Sequence, residues 1–199
     1  MELLKPRTKK AILENLKGIE GSESLREIFT ALQNDISVSF NTGIVAIASV
    51  SDDSLSAAFA KAYADDFALN GGSALIIDAN MYDPRLADYL GLTPNENNEP
   101  VQLGEKVSAI CLKKEIYPSS VMKEGLVHNL IEAHKGNFNH IVIIAPSIKK
   151  HKDISLLSED LDCVLLLSQR HVTKKADIFN ALRYFEAEKL PLAKTILLK

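Results

Sequence analysis

Cysteine is scarce in this chain: Cys111 and Cys163 are the only two in 199 residues. That scarcity excludes a disulfide-stapled scaffold and gives no support to a cysteine-built metal site. Cys163 opens the run Cys163-Val164-Leu165-Leu166-Leu167 and reads as a buried thiol. An excess of either charge is missing too. The 23 Lys and Arg residues face 26 Asp and Glu, a net charge of -3, so a chain-wide attraction to nucleic acid or to an anionic membrane is not expected. No apolar run approaches the roughly 20 residues that cross a bilayer. Residues 1–10 are basic but lack the continuous apolar stretch of a secretory signal. These absences lead to the expectation of a cytoplasmic protein without membrane insertion, recruited to the inner face of the membrane only through a partner. Internal repeats and low-complexity tracts are absent as well.

What is present is the balance of an ordinary globular protein, 46% hydrophobic and 25% charged. The length suits one sheet-centred domain. Residues 1–22 read as a polar N-terminal arm, and residues 23–199 as a single domain. Leu25, Ile28, Phe29, Leu32 and Ile36 recur at helical spacing. Four short apolar runs read as buried strands: Ile44 to Ala48, Ala74 to Asp78, Ile141 to Ile144 and Cys163 to Leu167. A weaker strand is expected over Val107 to Leu112 and a last strand over Thr195 to Leu198. Helical patterns cover Leu55 to Leu69, Val121 to His134 and Thr173 to Glu188, with short helices at Asp83 to Tyr89 and Asp153 to Glu159. The segment from Thr93 to Pro100 is a polar loop. Strands alternating with helices predict an α/β, doubly wound, mostly parallel sheet flanked by helices. Ligands in such a sheet bind at the C-terminal ends of the strands.

Four segments carry the chemistry, three of them at those ends. The helix before the first strand holds Glu27, Phe29, Thr30, Leu32, Gln33 and Ile36. After the first strand comes Asp52-Asp53-Ser54-Leu55-Ser56. The second strand runs into Asp78-Ala79-Asn80-Met81-Tyr82-Asp83-Pro84, and the third into Ala145-Pro146-Ser147. Their order and spacing resemble the bacterial tyrosine kinases of capsular and exopolysaccharide synthesis, relatives of the MinD-like ATPases with a P-loop NTPase-like fold. The resemblance spans Glu23 to Lys199.

The resemblance also marks what has changed. The family's E-x-x-R-x-x-R self-association helix keeps Glu27 but has Thr30 and Gln33 for its arginines. Its phosphate loop reads G-E-G-K-S-T, whose glycines let backbone N–H groups wrap the phosphates and whose lysine reaches them. Here Asp52 and Ser54 stand for the glycines and Leu55 for the lysine, while Ser56 keeps the hydroxyl. In D-x-D-x-R-x-P, Asp78 and Pro84 are kept, Asn80 replaces the second aspartate and Tyr82 the arginine. Ala145 replaces the Walker B aspartate, which alanine cannot imitate. The family's tyrosine-rich tail has no counterpart among these residues.

The resemblance therefore implies a non-catalytic, pseudokinase-like relative with weak or absent Mg-ATP binding and no catalytic residue. It would be a regulatory or scaffold protein in capsular or exopolysaccharide biosynthesis or export. Its implied partners are a membrane polysaccharide co-polymerase or a related active kinase, with a homo-oligomer as a further state. Two alternatives stay open at this stage. One is an active ATP-dependent kinase or ATPase with an atypical site, in which Ser56, Asp78, Asp52 and Asp53 gather on a divalent ion. The other is a MinD-like adaptor in cellulose secretion, flagellar placement or partitioning.

The residues allow blander readings beside these. Asp52, Asp53 or Ser54 would cap the following helix. His128, His134 and His140 have no zinc spacing and read as surface residues. The run Lys149-Lys150-His151-Lys152 reads as a solvated loop at the ligand-binding end of the sheet. Ser147 has no activating base in sequence and is not assigned as a nucleophile.

Overall fold

The computed structural model describes residues 29–30, 43–94 and 97–198. It contains β1 (Gly43–Ser49), α1 (Ser56–Leu69), β2 (Ala74–Asp78), α2 (Leu86–Leu90), β3 (Val101–Gln102), β4 (Val107–Cys111), α3 (Pro118–Lys123), α4 (Leu126–His134) and β5 (His140–Ile144). A 3-10 turn (Asp153–Leu157), β6 (Cys163–Gln169), α5 (Lys175–Ala187) and β7 (Leu192–Leu198) complete the order. The seven strands form one sheet in the order β3-β4-β2-β5-β1-β6-β7. All pairs are parallel except β3 with β4.

The apolar strands form because both of their faces are covered. Every residue of β2 and β5 is buried. Alternate residues feed two cores: Val45 and Ile47 face the α1 side, while Ala46 and Ala48 face the side of α3, α4 and α5. Each fully buried Val, Ile or Leu contributes about 1.5–3 kcal/mol. Alanine dominates α1, which favours helix and lets it lie close on the sheet. Its large anchors, Phe59 and Tyr63, sit four residues apart and meet Phe29 edge-on at 5.5 and 5.4 Å. The helix stops at Asn70, followed by Gly71 with φ +96°.

Several expectations change in detail. The single helix expected over Val121 to His134 is two helices, α3 and α4, divided at Gly125 with φ +84°. The antiparallel edge strand β3, two residues long, has no counterpart among the expected strands. The expected cap of α1 is not a side chain. Leu55 is the N-cap residue and its side chain has no hydrogen-bonding atom, while Asp52 and Asp53 bond elsewhere. His140 is buried rather than on the surface and stacks on Phe67 at 3.8 Å. Burial lowers its imidazole pKa, and a neutral ring packs there.

The helical segment around Phe29 is described at Phe29 and Thr30, which are helical; Phe29 is buried and Thr30 exposed. Glu27 and Gln33 lie outside the described residues, as does the expected arm. Among the described residues no helix is long and apolar enough to cross a membrane.

Candidate functional site

From β1 the chain crosses to β2 on one side, and from β5 it crosses to β6 on the other. The strand order therefore reverses at the C-terminal end of β1, where open α/β sheets hold their ligands. The loops after β1, β2 and β5 meet there.

The loop after β1 first stays with the sheet, as the Val50 N–H donates to the Leu167 carbonyl at 2.8 Å. It then turns tightly: Asp52 Oδ1 accepts the Ser54 N–H at 3.0 Å, an Asx turn. The next residue points inward. Asp53 is 5% exposed, and its Oδ2 accepts from Asn80 Nδ2 at 3.0 Å while its Oδ1 meets Lys150 Nζ at 3.5 Å. One carboxylate thus ties the loops after β1, β2 and β5. Asn80 is the stronger half of this clasp, since Lys150 is half exposed and its pairing is long. Leu55 is buried and packs into the α1-side core. Ser56, the first residue of α1, is buried, and its Oγ has no hydrogen-bond partner among the described residues; the same holds for Ser49 Oγ and Ser147 Oγ.

Asp78 ends β2 and is almost fully buried. Its Oδ2 accepts the N–H groups of Arg85 and Leu86, both at 2.9 Å, and its Oδ1 accepts that of Asn80 at 3.2 Å. It therefore holds the loop after β2 in shape and satisfies the start of α2. Burial pushes its carboxyl up to about 6; the three N–H groups act against that rise, and the nearby Asp53 charge adds to it. Asn80 Nδ2 also donates to the Asp83 carbonyl at 3.2 Å. Ala145 is buried at the end of β5, with its N–H on the Ile47 carbonyl at 2.9 Å.

The structure thus brings together Asp53, Asn80, Asp78 and Ser56, with Asp52 and Ser54 at the loop's outer turn. The ion site of the atypical-enzyme alternative is not assembled. Among the described residues no group of three or more His, Cys, Asp or Glu is placed to hold a metal ion, and the oxygens of Asp78 and Asp53 already have protein partners.

Sequence reasoning missed two features. Lys150 belongs to the clasp and not simply to a solvated loop. A second network also lies on the same face: Tyr82 stacks on His151 at 3.5 Å, and both the Tyr82 and Ser119 hydroxyls donate to Asp153. The Tyr82 and Ser119 oxygens are 2.7 Å apart. The replacement of arginine by Tyr82 is the only signal of it, and nothing in the sequence links that tyrosine to Ser119 or Asp153.

A magnesium nucleotide would need loop N–H groups freed by glycine, a lysine on the phosphates, and carboxylates to hold the ion through water. The loop at residues 50–55 has no glycine and no lysine, Leu55 lies in the core, and the Asp53 carboxylate lies between the loops. The residues present do not fit that group.

No protein-family model matches the chain, and no curated protein matches it in sequence. Solved structures do. The chimerical protein CapA2B2 superposes with a TM-score of 0.78 at 18% identity, covering 89% of this chain and 85% of that one. The kinase domain of the Escherichia coli tyrosine kinase ETK gives 0.77 at 15% identity, covering 87% and 75%. Cobyrinic acid a,c-diamide synthase from Mycobacterium smegmatis, with a bound ATP analog and magnesium, gives 0.66 at 14% identity, covering 78% and 72%. At these identities the likeness establishes the fold. The chain has the P-loop NTPase fold of the MinD type, in the form adopted by tyrosine kinase domains.

Proposed function

We propose that this protein is a non-catalytic relative of the capsule-type tyrosine kinases that acts by binding. It serves as a regulatory or scaffold protein in capsular or exopolysaccharide biosynthesis or export. The observation that carries this reading is Asp53. Where the fold offers a nucleotide its phosphate loop, the chain presents its own buried carboxylate, bonded to Asn80 and Lys150. A triphosphate entering there meets like charge, worth about 1 kcal/mol per pair at ~4 Å in water and several-fold more at a protein surface. It also lacks the lysine contact, worth roughly 1.5–3 kcal/mol.

The loops that nucleotides join in relatives of this fold are here joined by side chains, so the surface they form is permanent and suited to holding a partner. A membrane polysaccharide co-polymerase or an active kinase of the same fold is the partner this reading favours.

Calorimetric titration with Mg-ATP and Mg-ADP, beside a thermal-shift assay, tests the reading. Ligand at 100 times its Kd would add about 2.7 kcal/mol, or roughly 5–10 °C in Tm for a chain of this size. The expected result is no heat and no shift at millimolar nucleotide. Micromolar binding would overturn the proposal and reopen an enzymatic role.

A further inference from the structure

The sheet ends differently on its two sides. β3 closes one edge with two residues, whereas β7 presents seven at the other, and among the described residues no strand pairs with its outer side. Long edges are usually blunted by charge, by bulges or by a covering element. β7 carries one charged side chain, Lys194, and it is exposed.

Its two faces differ. Ile196 and Leu198 are buried in the α1-side core. Alternation then puts Lys194 on that same face and Leu197 on the face of α5. Leu197 is 61% exposed there. The flank of α5 beside it follows from its contacts. Asp177 and Tyr184 reach the loop after β5, through Lys149 at 2.9 Å and the Lys152 carbonyl at 2.6 Å. The opposite flank, bearing Lys175 and Phe179, therefore looks toward β7. Phe179 is 64% exposed. Glu186, two turns on, is the acid of that flank.

We propose that the β7 edge receives an extended segment of a partner protein in which acidic and apolar residues alternate, added to the sheet as a further strand. Each part of the segment has its counterpart. The backbone edge, unpaired among the described residues, takes the strand. Leu197 and Phe179 take its apolar side chains on the α5 face. Lys194 takes its carboxylates on the other face, and Lys175 adds to the positive field beside Phe179. Pairing β7 with β7 of a second copy instead leaves Lys194 without an acidic partner, because β7 holds no Asp or Glu. The inference goes beyond the reading of the nucleotide site and does not rest on it.

The test uses the full chain, isotope-labelled, and two synthetic peptides of roughly ten residues, one alternating valine with glutamate and one alternating valine with lysine. The acidic peptide is expected to bind roughly tenfold tighter than its lysine twin, with shifts confined to β7 and α5. Lys194→Glu should reverse that preference, and Phe179→Ser should weaken binding at least about fivefold. Both side chains are exposed, so the Tm of each variant should stay at the parent value. Equal binding of the two peptides overturns the proposal, as does no binding at millimolar peptide or binding that both variants leave untouched. Dimerisation through β7 in sedimentation would assign the edge to a second copy. Capture by anionic vesicles that depends on Phe179 would assign it to a membrane. Either result also overturns the proposal.

Discussion

Asp78 and Asp53 meet around Asn80 at one end of the sheet and do different work there. Both Asp78 oxygens are spent on backbone N–H groups, yet burial still lifts its carboxyl to about 6 from an ordinary 3.8. The folded state therefore holds a proton that the unfolded chain has lost between roughly pH 4 and 6. Stability from this group is full below the unfolded value and is lost as pH rises through about 6, with a limiting slope of about 1.4 kcal/mol for each pH step of one. Asp78→Asn should abolish that slope in urea titrations between pH 4 and 6. It should also cost about 1–3 kcal/mol at pH 7, because an amide turns one acceptor into a donor facing an N–H. A slope that survives the substitution would place the titration elsewhere. Asp53 ties rather than shapes. Asp53→Ala should lower stability by about 1–2 kcal/mol by removing the acceptor for Asn80, read as a fall in urea midpoint at unchanged m-value. A rise in the midpoint would show that the buried carboxylate strains the loops.

Among the elements, the break between α3 and α4 depends on one residue. Gly125 has φ +84°, and a Cβ there would meet nothing closer than 3.9 Å. Gly125→Ala should therefore cost only the left-handed strain, about 1–2 kcal/mol, without a clash. A neutral substitution would mean that the two helices merge into the single one that periodicity predicts. The sequence suggests that merger because apolar spacing runs unbroken from Val121 to Ile131, while a backbone reversal leaves no mark on it. The strong strands were legible for the opposite reason: a strand covered on both faces is apolar at every position, as in Ile141 to Ile144. The two-residue β3 has no such pattern to read. At the site, the positions of Asp52 to Ser56, Asp78, Asn80 and Ala145 along the chain were legible from spacing. That Asp53 turns inward was not, since it depends on Asn80 and Lys150, 27 and 97 residues away. His140 reads as a surface residue, and its place at the start of β5 between β1 and β2, with Phe67 and Tyr63 stacked on it, explains its burial.

For the molecule as a whole, the sheet order grades stability from the middle outward. β5, β1 and β2 are paired on both sides and covered on both faces, while β7 is paired on one side alone. Native-state hydrogen exchange should follow that order, with the slowest amides in β5 and β1 opening only by global unfolding. Outer-edge amides of β7 should exchange faster by orders of magnitude, as an edge that is open to a partner requires. The loops at residues 50–55 and 79–85 should show intermediate protection already, because Asp53 and Asp78 hold them from within. Mg-ATP should leave that pattern unchanged. In a nucleotide-driven switch the same loops are loose alone and slow sharply when the ligand joins them. Protection that appears at residues 50–55 only on adding Mg-ATP would therefore identify a working nucleotide switch. Constant protection there, together with a fast β7 edge, would describe a fixed platform whose responsive surface is the far edge of the sheet.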